Sequence, residues 1–158
     1  MRAAGGFSLM ETLIVIVILG VVLAIAFPQL VRARARIDVT AAREAFGSAH
    51  SLARQVAGQY GRLGKLHLDP NGNSFWITID TSSIPGLQIL DTIRPVVDID
   101  GQFGGVRVDA KPKTFCFDPR GLPTARGACD LPNATIVFSR GRVADTVTIS
   151  RLGRLLRR

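Results

Sequence analysis

Apolar residues run almost unbroken near the start of the chain and then thin into a periodic pattern, and that change divides the molecule. From Leu13 to Phe27 there is no charge and hardly a polar atom. Such a run predicts a helix long enough to enter the hydrocarbon of a bilayer. Beyond it, Leu30, Ala33, Ile37, Ala41, Ala45, Ala49, Leu52 and Val56 recur at intervals of three and four, so the helix is expected to continue to about Gln59. That stripe is expected to lie on a globular domain, with Arg32, Arg36, Arg43 and Arg54 facing elsewhere. Pro28, where the apolar and amphipathic parts meet, should kink or loosen the helix.

After a glycine-rich break from Tyr60 to Gly64 the period changes to two. Phe75, Ile77 and Ile79 alternate with Trp76, Thr78 and Asp80, which predicts a strand. The PNGN run before it is a turn signal in which Asn71 and Gly72 can take positive φ. Trp76 is expected to pack against the helix or cover a core edge. Further strands are expected at Gln88 to Ile93, Gly105 to Asp109, Lys113 to Phe117, Thr135 to Ser139 and Asp145 to Ser150. Turns at Pro85-Gly86 and Asp100-Gly101 part them. No helix of useful length is indicated after residue 60. With 158 residues, the chain beyond its apolar segment suffices for one small domain. The fold class expected is α+β, one long N-terminal helix packed on a small antiparallel sheet.

Two details make the apolar segment more than an anchor. Glu11 sits just inside it, where an unpaired carboxylate is costly and is retained for a partner. Gly5 and Gly6 form a side-chain-free step at which a protease could hold the backbone extended. Gly6, Phe7, Glu11, the unbroken apolar run and Pro28 together resemble the class III signal of type IV pilins and type II secretion pseudopilins. The resemblance implies cleavage by a prepilin peptidase after Gly6 and N-methylation of Phe7. It gives a leader over 1–6, a helix over 7–59 that spans the membrane in 7–30, and a globular domain over 60–158. It further implies that Glu11 neutralises the new amine of an adjacent subunit; either charge alone would be costly to bury. Ala24, Ile25 and Ala26 also resemble the AxA of an ordinary secretory signal cut before Phe27. Glu11 would then fall within the apolar core of that signal, and Arg2 would be the sole basic side chain of its head. Arg32, Arg34 and Arg36 reverse the usual positive-inside bias, which a leader read by its own peptidase would override.

The resemblance extends to the second half. Phe117, Asp118, Pro119, Arg120 and Gly121, with the stretch from Ile149 to Arg157, look like the globular domain shared by GspH-like pseudopilins and FimT-like minor pilins. This implies an inner-membrane, single-pass protein with a periplasmic domain, built into a pilus or pseudopilus beside other minor and major pilins or pseudopilins. Inner-membrane lipid is the other expected contact. Cys116 and Cys129 would then lie where a disulfide persists, closing a short loop worth about 3 kcal/mol.

Charge adds a candidate chemistry. The formal net charge is +8, and Arg140, Arg142, Arg151, Arg154, Arg157 and Arg158 crowd the last nineteen residues against Asp145 alone. Arginines on a strand end and a mobile tail can engage phosphates without reading bases. Among FimT-like proteins, the resemblance implies capture of double-stranded DNA in natural transformation through a GRxR motif. Here that motif falls on Gly153 and Arg154, and the next arginine is Arg157, one position late. Arg151, Gly153, Arg154, Arg157 and Arg158 are therefore the candidate DNA-binding residues. Catalysis is not indicated. Asp98 and Asp100 adjoin a turn, Ser139 and Ser150 lack a positioned histidine, and His50 and His67 have no triad context. GQFGG and GRLGK lack the spacing of a phosphate loop. No cofactor is expected, and no metal site, since both histidines lie far in sequence from the cysteines.

Overall fold

The computed structural model describes residues 8–82, 89–125 and 128–157. The expectations that fall on Gly6, Phe7, the Pro85-Gly86 turn, Gln88 and Arg158 lie outside them. Helix α1 covers Leu9–Tyr60, and the chain divides into two compact units, Met1–Arg34 and Ala35–Arg158.

In the first unit the helix opens on Ser8, whose carbonyl accepts the backbone N–H groups of Glu11 and Thr12 at 3.0 and 3.1 Å. The helix is continuous through Pro28. Lacking an N–H, Pro28 leaves the carbonyl of Ala24 without its usual intrahelical donor. Every large apolar side chain from Leu9 to Val31 is exposed, so this surface needs an apolar surrounding that its own unit does not supply.

The second unit packs the rest of α1 on two antiparallel sheets. Five strands form the first: β1 Gly64–Asp69, β2 Ser74–Asp80, β3 Leu90–Asp98, β5 Lys113–Phe117 and β6 Pro123–Thr124, in the order β3-β2-β1-β5-β6. The second is β4 Arg107–Asp109, β7 Ala134–Arg140, β8 Val143–Ile149 and β9 Leu155–Arg157, in the order β4-β7-β8-β9. A four-residue helix, α2 Ile99–Gln102, links the two. Pro95 lies in β3, an edge strand, where a missing donor is tolerated.

The buried face of α1 is Ala35, Val39, Ala42, Phe46, Ala49, His50, Ala53, Val56 and Ala57. Of the expected stripe, Ala49 and Val56 are buried and Ala45 and Leu52 pack partly buried against the core, whereas Ala33 is exposed and Ile37 is 67% exposed, Ala35 and Val39 taking the buried positions there. Phe46 sets the phase. Its ring meets Phe75 of the first sheet edge-on at 5.7 Å and Phe138 of the second at 5.9 Å. Alanines elsewhere on this face let backbone come close. A Cβ on Gly64 would lie 2.6 Å from the carbonyl oxygen of Ala53, so β1 can start there only with glycine.

Two arginines expected to face away from the domain turn into it. The Arg43 guanidinium bonds Asp145 of β8 at 2.7 Å and is 18% exposed, and Arg54 Nε donates to the carbonyl of Gly121 at 2.9 Å. Arg140 of β7 pairs with Asp38 of α1.

The turn before β2 takes its positive φ at Asn73, φ 47°, and at neither Asn71 nor Gly72. The Asn73 amide explains the choice: its Nδ2 donates to the Val106 carbonyl and its Oδ1 accepts from Val108 N–H, both at 2.8 Å. Its own carbonyl accepts from Ile99 N–H at 2.9 Å, so one residue joins the first sheet to the start of β4. Asn73→Ala should destabilise the fold by about 3 kcal/mol, from two lost hydrogen bonds and a strained φ. Asn73→Gly keeps the φ and should cost about 2 kcal/mol. Urea unfolding of both variants checks the order.

Candidate nucleic-acid interface

Strand β8 ends at Ile149, and the chain then closes a tight turn. Ser150 N–H donates to the Arg154 carbonyl at 2.9 Å, Gly153 N–H to the Ser150 carbonyl at 2.8 Å, and Arg154 N–H to Ser150 Oγ at 3.1 Å. Gly153 has φ 69°, and a Cβ there would stand 3.0 Å from Pro123 Cγ. Glycine thus serves both the turn and the contact between the two sheets' edges. Arg151, Leu152 and Arg154 point outward from this turn and are exposed.

Beyond the turn the chain forms a strand in place of the expected mobile tail. Leu155, Leu156 and Arg157 pair with Ile149, Thr148 and Val147 as strand β9. Leu155 tucks toward α1, its Cδ1 lying 3.9 Å from where a Cβ of Gly47 would be. With side chains alternating, the position sharing Arg154's face is 156, held by Leu156 at 51% exposure. The side chain of Arg157 lies outside the described residues.

The other arginines of the sequence cluster are dispersed. Arg140 is held by Asp38, and Asp145 is taken by Arg43. Arg142 sits in the two-residue β7–β8 turn, a strand length of about 20 Å from Arg151.

A cation missed in the sequence reading stands instead beside the seam. Asp118 organises the turn into β6: its Oδ1 accepts from Arg120 N–H at 2.9 Å and Leu122 N–H at 2.8 Å, and its Oδ2 from Arg120 Nε at 3.3 Å. The Leu122 N–H, foremost among these, holds the Asp118 carboxyl below its ordinary range. The Arg120 side chain is 81% exposed. The signal for it was the Asp-Pro-Arg-Gly turn.

Cys116 and Cys129 form a disulfide with Cα atoms 5.6 Å apart, fastening β5 to the segment that leads to β7. Trp76, expected against the helix or a core edge, is half-buried on the face of β2 opposite Phe75 and Ile77. It stacks on His67 at 4.9 Å, whose nitrogens are bonded to Thr114 Oγ1 at 3.2 Å and Thr78 Oγ1 at 2.8 Å. Glu11 is exposed in the first turn of α1 and Pro28 lies within it. Among the described residues, no three histidine, cysteine or acidic side chains gather to hold a metal ion.

Residues 1–27 match the prokaryotic N-terminal methylation motif. No curated protein matches the sequence. Among solved structures, the chain is similar to the type IV minor pilin FimU of Pseudomonas aeruginosa. One crystal form gives a TM-score of 0.55 at 16% identity, covering 78% of this chain and 90% of that one. A second gives 0.51 at 16%, covering 75% and 91%. The protein is type IV pilin-like: it carries the methylation signal, and its α+β architecture is the pilin fold. The motif implies processing by a prepilin peptidase and assembly with other pilins, and with the apolar helix it is consistent with a membrane-anchored pilus subunit.

Beneath this surface lies a buried titratable group. His50 packs edge-on to Phe117 at 5.1 Å, and its Nε2 is buried without a partner. Desolvation first, and then the Arg54 charge, lower its pKa from 6.5 to about 4. The unfolded chain therefore binds the proton more readily. The stability due to neutral His50 is complete above pH 6.5 and is lost as pH falls toward 4, by about 3 kcal/mol in all. His67, lowered chiefly by burial and then by Lys65, acts in the same direction below 6.5; Asp118 does so only below the ordinary carboxylate range. Urea midpoints measured from pH 7 to 4 should fall in the wild type and much less in His50→Leu.

Proposed function

We propose that the protein is a non-enzymatic minor pilin of the FimT-like kind, anchored in the inner membrane by α1 and built into a type IV pilus. Cleavage after Gly6 frees the amine of Phe7, and Glu11 of a neighbouring subunit neutralises it in the apolar helix bundle. Glu11→Gln should leave cleavage after Gly6 intact, read by mass spectrometry, and should abolish recovery of the subunit in sheared pili. Equal recovery of wild type and variant would remove Glu11 from assembly.

The terminal turn supplies a second activity, retention of duplex DNA by its phosphates during natural transformation. The observation that carries it is the clasped Ser150–Arg154 turn, which presents Arg151 and Arg154 outward from a rigid support. Phosphate contacts of this kind give salt-sensitive, sequence-independent binding. In uncharged detergent micelles the full chain should retain a labelled duplex at low salt. Arg151→Ala with Arg154→Ala should weaken retention and flatten its salt dependence by about two contacts.

Leu156 in the register of the expected second cation, and the engagement of Arg140 by Asp38, favour another reading: a minor pseudopilin of type II secretion with no DNA to hold. Absence of retention by the wild type at low salt would select it.

A further inference from the structure

The turn that carries Arg120 faces α1 across an open cavity of about 360 Å³, lined by Ser51, Arg54, Gln55, Arg120 and Gly121. We infer that this trough is a binding site for a phosphate group of a nucleic-acid backbone, separate from the terminal turn.

The lining is built for an oxyanion. Arg54 is fixed by one bond, from Nε to the Gly121 carbonyl at 2.9 Å, which orients its guanidinium and leaves the two terminal nitrogens as donors. Arg120 is likewise held by side chain through Nε alone, to Asp118 Oδ2 at 3.3 Å. The trough thus has two guanidinium groups and one carboxylate beside it, that of Asp118, which bonds Arg120 alone of the two and already accepts two backbone N–H groups. The site keeps a net positive charge with its remaining donors unspent. Gln55 adds a neutral amide. The Ser51 hydroxyl proton goes to the Gly47 carbonyl at 3.1 Å, so Ser51 shapes the wall and donates nothing further.

The surroundings select where the anion sits and what carries it. Ser51 also lines a neighbouring cavity of about 310 Å³ with Glu44, Gly47, Ser48 and Leu155. There the Glu44 carboxylate is paired with Arg43 at 2.8 Å, so that end, ten residues or about 15 Å of helix from Arg54, carries a compensated charge and holds no net positive site. Two residues beyond Gly121, the chain reaches Pro123, which touches Gly153 of the terminal turn that bears Arg154 and Arg151. Ser51, Gln55 and Arg120 are exposed, so the trough is open along its length, and a polymer can cross it and continue over the seam. A free phosphate ion would occupy the trough alone.

The test uses the full chain in uncharged detergent micelles with two probes, a labelled 30-base-pair duplex and inorganic phosphate. Arg120→Ala should lower duplex affinity about three- to tenfold at low salt and reduce the salt slope by about one. Its thermal midpoint should match the wild type, because the side chain is exposed. The Nε–Hε resonances of Arg54 and Arg120 should move on adding duplex. Their movement with inorganic phosphate as well, alongside a weakened Arg120→Ala, supports the same chemistry. Movement with inorganic phosphate while Arg120→Ala binds duplex normally overturns the inference and leaves a free-anion site. No movement with either probe overturns it outright. Loss of binding confined to Arg151→Ala and Arg154→Ala overturns it and leaves the terminal-turn reading standing. An effect confined to Arg120→Ala supports it and removes that reading.

Discussion

The globular unit depends on one ring. Phe46 is the large apolar side chain in a helix face otherwise made mostly of alanine, and it touches a phenylalanine from each sheet. Two sheets that share no hydrogen-bonded edge among the described residues are thereby given a common packing partner. The flanking alanines serve the complementary need, since short side chains let β1 approach α1 so closely that Gly64 has no room for a Cβ. A face of uniformly large residues would hold the sheets off and lose the dense contact on which interior packing rests.

Around that ring the ionic contacts fix position more than they add stability. Arg43 with Asp145 and Arg140 with Asp38 each join α1 to the β7–β8 hairpin across 102 residues of sequence. Pairs that are half removed from water recover little net energy, but the two together allow one placement of the hairpin along the helix. Their consequence for surface chemistry is direct. One arginine and the one acid of the basic terminus, Arg140 and Asp145, are spent on pairs with α1. Of the terminal arginines among the described residues, Arg142, Arg151 and Arg154 are left outward on turns, as Arg120 is on another.

The limits of the sequence reading arise from the same packing. The long helix, the alternation of Phe75, Ile77 and Ile79, and strand β5 were legible because periodic burial leaves periodic apolar residues. The phase of the helix was legible only from Ala45 onward. Alanine occurs on several of its faces, at 33, 35, 41, 42, 45, 49, 53 and 57, and only the weight of Phe46 distinguishes the buried one. Asn73 was passed over because Asn-Gly is the stronger local turn signal, whereas its carboxamide is used by backbone at Val106 and Val108, more than thirty residues away. Strands β6 and β9 are two and three residues long and carry no periodicity. Arg120 read as one residue of a turn, and its nearness to the helix exists only once β5 is paired.

The end of the chain shows why order matters to a charge motif. In a mobile tail, an arginine displaced by one residue loses little, because rotation about a few bonds restores its reach. In strand β9 the period is two, and a shift of one residue changes the face. Position 156, which would share the face of Arg154, holds an exposed leucine, so the terminal strand cannot present a pair of cations two residues apart there. The Gly153–Pro123 contact instead joins the turn bearing Arg154 to β6, the strand that follows the turn bearing Arg120. The proposed phosphate-binding surface would therefore be assembled by the meeting of two sheet edges, and would depend on the glycine that lets them touch.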